Sequence, residues 1–375
     1  MNGSLRIGNL FGIPFFINFS WFFVLGLVTL NFGSGLSAQF PQLGSGSLLL
    51  GLGAGLLLFT SVVLHELGHS FAAQRRGIKV NSITLFLFGG LASLDDDAKT
   101  PGDAFWIAIA GPLVSLALFL LLSPLATSGV VAGPAAAILG LVAYINLILA
   151  VFNMIPGMPL DGGNVLRAAI WKLSNSRFRG TYWASRSGQV IGWLAIGLGA
   201  LSILGLSNIG SFWTLIVGWF ILQNASQSAK SAMVQEQLSQ FTAADAVYDE
   251  SPVVDADITL REFADMTITL GLQKKWKRFL VQDQAGRLAG SVDLDILQAV
   301  PTTQWSELYV QDYLKPLTPE NQVESSQSLL NVLNKLDKQK MQAIAVIQSN
   351  GTLLGLLEKS SIIELLQRKQ PLPTA

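Results

Sequence analysis

The sequence contains no cysteine and only two histidines, His65 and His69. The absence of cysteine excludes disulfide bonds and thiolate metal ligands, so a transition-metal site in this chain must use imidazoles and carboxylates. Because no other histidine exists, such a site can draw its imidazoles only from these two residues. They lie four positions apart in the segment HELGH, residues 65–69.

Charged side chains are missing from long stretches of the chain. Residues 7–64, 104–160 and 187–229 contain no Lys, Arg, Asp or Glu. Apolar runs of this length predict membrane-spanning helices. From Ser231 onward the composition is that of a soluble protein, so we expect a polytopic α-helical membrane domain, residues 1–230, followed by a soluble domain. The six predicted spans are roughly 13–32, 47–72, 104–126, 134–155, 188–206 and 210–226.

The links between the spans predict the orientation of the chain. Basic residues concentrate in two links, one containing Arg75, Arg76 and Lys79 and the other covering residues 167–179, whereas the alternate links carry no charge. Cytoplasmic loops carry the excess of Lys and Arg. We therefore expect both termini to be cytoplasmic, in a membrane of the bacterial plasma-membrane type. The first apolar run follows a single Arg6 and is interpreted as an uncleaved span rather than a signal peptide.

The link between the second and third spans includes residues 80–97, VNSITLFLFGGLASLDDD. This segment is too short to cross a bilayer as a helix. Its β-branched and aromatic residues around Gly-Gly predict a hairpin with its turn at the glycines. Since lipid does not tolerate exposed strand edges, the hairpin must pack on protein or line a wet cavity if it enters the membrane. An ordinary surface hairpin is the alternative.

The segment HELGH carries the chemistry of the second span. H-E-x-x-H on a helix places two imidazoles one turn apart on one face, where both reach one Zn²⁺, and Glu66 can act on the metal-bound water. Ionisable groups inside a membrane span are costly and by default functional. Two core histidines satisfied by their neighbours are the alternative interpretation. From Arg75 at the predicted cytoplasmic surface, the helical rise puts His69 about 9 Å and His65 about 15 Å into the membrane.

A catalytic zinc site needs a third protein ligand and an open position. Without another histidine or a cysteine, the ligand must be a carboxylate, and Asp161 is the only acidic residue in 104–235. It lies in NMIPGMPLDGG, residues 153–163, whose prolines and glycines argue against a regular helix and for an irregular segment along a cavity. A helix-ending turn at the interface is the alternative role of Asp161. The rival carboxylates, interpreted as a solvated cluster, are Asp95, Asp96, Asp97 and Asp103.

Three segments together resemble the site-2 protease family of intramembrane zinc metalloproteases. They are HELGH, AGPLVSL after the hairpin and NMIPGMPLDGG, and the resemblance covers about residues 10–225. It implies one Zn²⁺ per chain, held by His65, His69 and Asp161, with Glu66 as the catalytic base. It also implies that Asn153 holds the substrate or the oxyanion, for which a helix-packing amide is the alternative.

The same resemblance implies the substrate and its presentation. The substrate is a transmembrane segment of another protein in the bilayer, held in extended form against residues 82–92. Two positions depart from the family pattern: Ser115 stands where many members have Asn, and Asn164 stands where His or Arg is common. Neither is expected to touch the metal ligands.

The soluble part contains an internal repeat. FLVQDQAGRLAGSVDLDIL, from Phe279, resembles IAVIQSNGTLLGLLEKSSII, from Ile344, at an offset of 65 residues. Each copy predicts a strand, a turn, a second strand and a helix. The repeat is similar to a tandem pair of cystathionine-β-synthase-type (CBS) domains of α+β fold, at residues 242–370, with copies at 242–300 and 309–370.

In the CBS family, a Thr and an Asp, three and six residues after a glycine, often hold an adenosine nucleotide. The corresponding positions carry Asp293 and Ile296 in the first copy and Glu358 and Ser361 in the second. Because neither copy keeps the pair, an adenine nucleotide and a protein partner both stay open as ligands. A second copy of the chain, giving a homo-oligomer, is one such partner. No nucleic-acid partner is expected.

The hypothesis from the sequence is a zinc metalloendopeptidase that hydrolyses peptide bonds within or near transmembrane segments, in regulated intramembrane proteolysis under control of the CBS pair. One alternative is a CBS-gated transporter in which the intramembrane His, Glu and Asp form an ion path. Transporters often contain repeated spans, and none is visible in the membrane half. The other alternative is a catalytically inactive scaffold.

Overall fold

The computed structural model describes residues 3–86, 89–247, 251–269, 278–315 and 321–369. It divides into two compact units, Met1–Met233 and Val234–Ala375. The first unit contains the strands β1 (Ser4–Leu10), β2 (Ile13–Asn18), β3 (Val80–Phe86) and β4 (Gly89–Leu94). Its helices are α1 (Phe19–Gln39), α2 (Gly46–Gln74), α3 (Pro101–Thr127), α4 (Gly133–Asn153), α5 (Asp161–Ser174), α6 (Arg177–Ile203) and α7 (Phe212–Gln240), the last of which continues into the second unit.

Four helices of the described residues, α1 to α4, are long and apolar enough to cross a membrane. Only 17% to 28% of the residues in their most apolar windows are buried inside the protein, so most apolar side chains face outward, as contact with lipid requires. The predicted fifth and sixth spans overlap α6 and α7 but extend three residues past the end of α6 and begin two residues before α7, and neither helix is among these four. The count of six spans stays a prediction.

The first predicted span, residues 13–32, was wrong at its start. Ile13–Asn18 forms strand β2, and α1 begins only at Phe19. Residues along β2 alternate between buried and half-buried, the period of a strand rather than a helix. Asn18 then caps α1, since its side chain accepts a hydrogen bond from the N–H of Ser20 at 3.0 Å.

The four strands form one sheet in the order β1-β2-β3-β4, with β2 and β3 parallel and the other pairs antiparallel. The predicted turn at Gly-Gly was misplaced, because Gly89 and Gly90 lie inside β4 and pair with Phe86 and Leu85. The intervening Leu87 and Phe88 lie outside the described residues. Strand β4 is an edge of this sheet.

Small and polar residues fix the packing of the helices around this sheet. Helices α1 and α2 touch at Gly51, where a Cβ would lie 2.6 Å from the carbonyl oxygen of Thr29. Helices α2 and α4 are joined by the fully buried Asn146, whose side-chain NH₂ donates to the hydroxyl of Ser61 at 2.9 Å. Close approach at small residues and side-chain hydrogen bonds are the means by which helices associate in lipid.

The second unit consists of two copies of one motif. The first copy contains β5 (Val253–Asp255), α8 (Leu260–Thr269), β6 (Arg278–Gln282), β7 (Leu288–Asp293) and α9 (Ile296–Ala299). The second contains β8 (Gln322–Glu324), α10 (Leu329–Lys338), β9 (Ala343–Ile347), β10 (Leu353–Glu358) and α11 (Lys359–Lys369). Each copy folds as a three-stranded sheet whose short first strand runs parallel to the middle strand, and both end in the predicted strand, turn, strand and helix.

The two copies meet through equivalent atoms. The N–H of Leu288 donates to the carbonyl of Gly351 at 3.4 Å, and the N–H of Leu353 donates to the carbonyl of Gly286 at 2.9 Å. Both the donors and the acceptors are 65 positions apart, which is the offset of the sequence repeat. Reciprocal bonds of this kind indicate an approximate two-fold axis between the copies.

Candidate metal centre

Two separate parts of the first unit supply the polar groups of the centre. Helix α2 carries His65, Glu66 and His69, with the two histidines one turn apart. Asp161 is the first residue of α5, and it follows an irregular segment, residues 154–160, that leaves the end of α4. The irregular segment is therefore shorter than the sequence predicted, because Gly162 and Gly163 already lie in the first turn of α5.

The irregular segment is held by α6. The N–H of Met158 donates to the carbonyl of Ala184 at 3.1 Å, and the hydroxyl of Ser187 donates to the carbonyl of Pro156. A Cβ at Gly188 would overlap the carbonyl oxygen of Met158, so only glycine lets α6 approach this closely. These contacts satisfy backbone groups that no helix satisfies, and they fix the position from which Asp161 reaches α2.

Three ligand atoms converge on one point. Nε2 of His65 and Nε2 of His69 lie 3.1 and 3.2 Å from the same oxygen, Oδ2 of Asp161, and 3.2 Å from each other. Ligands about 2.0 Å from a tetrahedral zinc ion are about 3.3 Å apart. The three atoms are therefore spaced as three corners of a zinc tetrahedron.

The second ring nitrogen of each histidine, Nδ1, faces away from the three converging atoms, and its partner explains why a cation belongs among those atoms. Nδ1 of His69 lies 2.7 Å from the carbonyl oxygen of Ile107, so Nδ1 must carry the proton and Nε2 presents a lone pair. Nδ1 of His65 lies 2.9 Å from the hydroxyl of Ser115. With a proton on each Nδ1, two imidazole lone pairs and a carboxylate oxygen face one another, and a metal ion satisfies all three.

Helix α3 leaves room for such an ion at Gly111. A Cβ on this residue would overlap Nε2 of His69 and lie 2.6 Å from Nε2 of His65. Any side chain here would fill the position to which the three ligands point. The donor set, the spacing and this gap together fit a zinc ion.

A cavity of about 250 Å³ opens beside the ligands. Glu66 lines it together with His69 and Asp161, and strand β4 forms one wall through Gly90, Leu91, Ala92 and Leu94. Strand β4 lies directly against the glutamate, since a Cβ at Gly90 would overlap Cγ of Glu66 and lie 2.9 Å from its Oε1. An ionisable carboxylate thus borders the same space as two of the three ligand residues, His69 and Asp161.

Of the other residues singled out from the sequence, Asp97 lines the cavity, but none of the described ones joins the group of ligand atoms. Asn153 is the last residue of α4 and is not among the residues that line the cavity. Among the rival carboxylates, Asp103 pairs with Arg76 at 3.1 Å, and Asp97 pairs with Arg177 at 3.6 Å. Of the described residues, only His65, His69 and Asp161 form a group able to hold a metal ion.

Three polar residues lie near the centre although the sequence predicted no role there for any of them. Ser115 contacts His65 directly, which corrects the expectation that it stays clear of the metal ligands. Asn164 and Arg167 line the cavity on the same helix as Asp161. Burial lowers the pKa of Arg167, and the neighbouring Asp97 opposes that shift. A polar residue within a mostly apolar helix was the available signal for Ser115, but its partner lies 50 positions away.

Similarity to known proteins extends along almost the whole chain. The profile of peptidase family M50 matches residues 54–132 and 123–195. The chain is 50% identical to "Putative zinc metalloprotease sll0528" of Synechocystis sp. over 98% of this chain and 96% of that protein. It is 30% identical to the solved site-2 protease of Methanocaldococcus jannaschii, with a TM-score of 0.45 over 60% of this chain and 95% of that one. A CBS domain pair/ACT domain protein of Thermotoga maritima matches at 17% identity and a TM-score of 0.28, over 35% of this chain and 100% of its own.

Proposed function

We propose that this chain, which belongs to peptidase family M50, the site-2 proteases, hydrolyses peptide bonds within or near transmembrane segments of other membrane proteins. The chain is a zinc metalloprotease and a membrane protein. The proposal extends these two properties to the location of the scissile bond. We also propose one Zn²⁺ per chain, with His65, His69 and Asp161 as its ligands.

One observation carries the proposal. Glu66 lines one cavity together with two of the three proposed ligands, His69 and Asp161, and both histidines and the glutamate belong to α2, a helix apolar enough to cross a membrane. A protease that cuts soluble substrates has no need to place its metal ligands on such a helix, because ionisable groups are expensive there. A substrate that itself lies in the membrane explains this placement, because the metal ligands must then be at the depth of the scissile bond.

The residues of the chain divide the chemistry among them. When bound, the zinc ion supplies Lewis-acid chemistry at the scissile carbonyl. The Glu66 carboxylate accepts a proton from the attacking water, the oxygen adds to the carbonyl carbon, and the proton then passes to the leaving nitrogen as the C–N bond breaks. Asn153 is proposed to hold the substrate or the oxyanion; its position outside the cavity lining does not test this role.

Strand β4 offers a way to present the scissile bond. A helical transmembrane segment hides its carbonyls in its own hydrogen bonds, so it must be extended before water can attack. The edge strand β4 borders the cavity at Gly90, Leu91 and Ala92. Addition of the substrate as a further strand on this edge would hold it extended beside Glu66.

We further propose that the second unit regulates proteolysis as a CBS pair, through an adenine nucleotide or a protein partner that includes a second copy of the chain. The repeated motif and its reciprocal backbone bonds support the pair. Both termini are proposed to be cytoplasmic, in a bacterial-type plasma membrane, and the charge distribution of the links supports that orientation.

Zinc analysis of the purified full chain tests the proposed function. We expect about one tightly bound zinc per chain, lost in His65→Ala. Glu66→Gln should keep the zinc and lose at least about 100-fold in cleavage of a reporter transmembrane substrate, because the base is absent. If Glu66→Gln cleaves at the wild-type rate, the assigned chemistry is wrong. If the wild-type protein binds no zinc and moves ions across liposomes, the transporter alternative is correct.

A further inference from the structure

One face of helix α3 contacts the candidate metal centre at three levels. Ile107, Gly111 and Ser115 are spaced at four-residue intervals, which places them one above another on the helix. The carbonyl of Ile107 accepts from Nδ1 of His69, Gly111 leaves the space at which the ligands point, and Ser115 meets Nδ1 of His65. The helix thus holds the far side of both imidazoles.

The two histidines differ in whether their hydrogen-bond partner decides which ring nitrogen carries the proton. A carbonyl oxygen can only accept a hydrogen bond, so the contact with Ile107 requires the proton of His69 to be on Nδ1. A hydroxyl can donate or accept, so the contact of His65 with Ser115 is compatible with either neutral tautomer. Only the tautomer with the proton on Nδ1 leaves the Nε2 lone pair free toward Asp161 and the metal.

We infer that Ser115 is a positioning residue for the metal centre, whose hydroxyl oxygen accepts a hydrogen bond from Nδ1–H of His65 and so holds its Nε2 toward the zinc ion. The inference rests on the proposed zinc site and deepens it. Ser115 touches neither the cavity nor the substrate space; it acts through His65. Outer partners of metal-bound histidines fix the tautomer and the ring orientation, and their loss typically weakens metal affinity about 10–100-fold.

Burial makes this contact matter. Ser115 is fully buried, and His65 is 4% exposed. Water therefore cannot replace the hydroxyl if it is removed. The unpaired Nδ1–H would either stay without an acceptor or move to Nε2, where it would block the metal.

The test measures zinc affinity of the full chain in detergent by competition with a chromophoric chelator. Ser115→Ala removes the acceptor with little change of shape, and Ser115→Thr keeps the hydroxyl. The matched control is Ser185→Ala, since Ser185 is also a fully buried helical serine but its hydroxyl has no hydrogen-bond partner among the described residues. The thermal unfolding midpoint of each zinc-free protein is recorded in parallel.

We expect Ser115→Ala to bind zinc about 10–100-fold more weakly, while Ser115→Thr and Ser185→Ala stay within about threefold of the wild type. The zinc-free midpoints of the two alanine variants should agree, because the loss is in metal binding rather than in packing. Wild-type affinity in Ser115→Ala overturns the inference. So does an equal loss in Ser115→Ala and Ser115→Thr, since the hydroxyl would then be irrelevant. If His65→Ala also binds zinc normally, the proposed metal site itself fails.

Discussion

A methyl group at position 111 should abolish the metal centre. In Gly111→Ala, the new Cβ would lie 2.6 Å from Nε2 of His65, whereas ordinary contacts begin at 3.4 Å. That nitrogen must therefore move away by about 0.8 Å, the difference between the two distances, and the overlap with Nε2 of His69 is worse. Zinc sites tolerate deviations of about 0.2 Å in ligand distance, so at least one histidine is lost as a ligand.

The expected result is a fall in zinc affinity of more than about 100-fold. This exceeds the usual effect of changes behind the ligands, because here the ligands themselves are displaced. Alanine favours helix over glycine, so the substitution does not weaken α3 through its backbone. The matched control is Gly53→Ala on the helix that carries the histidines, where a Cβ would meet nothing within 4 Å.

Chelator competition and zinc content of the purified chain measure the effect. Gly53→Ala should bind zinc as the wild type does. If Gly111→Ala also retains one zinc per chain at wild-type affinity, the gap beside Gly111 is not where the metal lies, and the ligand arrangement derived from the distances is refuted.

Three further outcomes are expected. Gly90→Ala should keep its zinc but lose at least about tenfold in cleavage, because its Cβ would displace the Glu66 carboxylate; parallel loss of zinc would contradict this reason. Leu91→Pro and Ala92→Pro each remove one N–H group of the edge strand β4. Because neighbouring residues of a strand direct their N–H groups to opposite sides, one of the two groups faces the free edge. Both substitutions should abolish cleavage with zinc retained, and wild-type cleavage in either would exclude strand addition. In the second unit, the hydrogen bond from Arg278 holds the pKa of Asp293 below its ordinary value of 3.8. The contribution of the ionised Asp293 carboxylate to the free energy of unfolding is therefore complete above pH 3.8 and is lost as the pH falls through the lower pKa of the folded state. The free energy of unfolding, measured by urea titrations across pH 2–6, should fall less steeply toward acid pH in Asp293→Asn than in the wild type. An equal fall in both proteins would exclude the Arg278–Asp293 pair as a source of stability.

The errors in the fold came from contacts between distant parts of the chain. IPFFIN, residues 13–18, is as apolar as the helix that follows it, so hydropathy could not separate the two. It forms a strand because it pairs with the neighbouring β1 and also with β3, which begins more than 60 positions later. The glycines of the hairpin were misassigned for a related reason. Gly90 lies in strand β4, and a glycine stands there because a side chain would overlap Glu66 of α2, not because the chain turns there.

The site was easier to predict than its surroundings. The chain holds two histidines and, in 104–235, one carboxylate, so elimination led to His65, His69 and Asp161. Ser115 gave no comparable signal. Its role depends on which way α3 faces α2, and a serine in a membrane helix can equally bond to its own backbone.

The sequence by itself determined the chemistry available and the environment in which it operates. The scarcity of histidine and cysteine left two imidazoles and a carboxylate as the metal donors, the uncharged runs predicted a membrane domain, and the 65-residue offset predicted a duplicated second unit. Only the tertiary structure decided that these donors meet, because Asp161 reaches α2 through an irregular segment held by α6. It also decided what lies behind and beside them: a serine hydroxyl against His65, a glycine at the point where the three donors converge, and an edge strand against the glutamate. Such contacts join residues far apart in the chain, and local patterns carry no record of them.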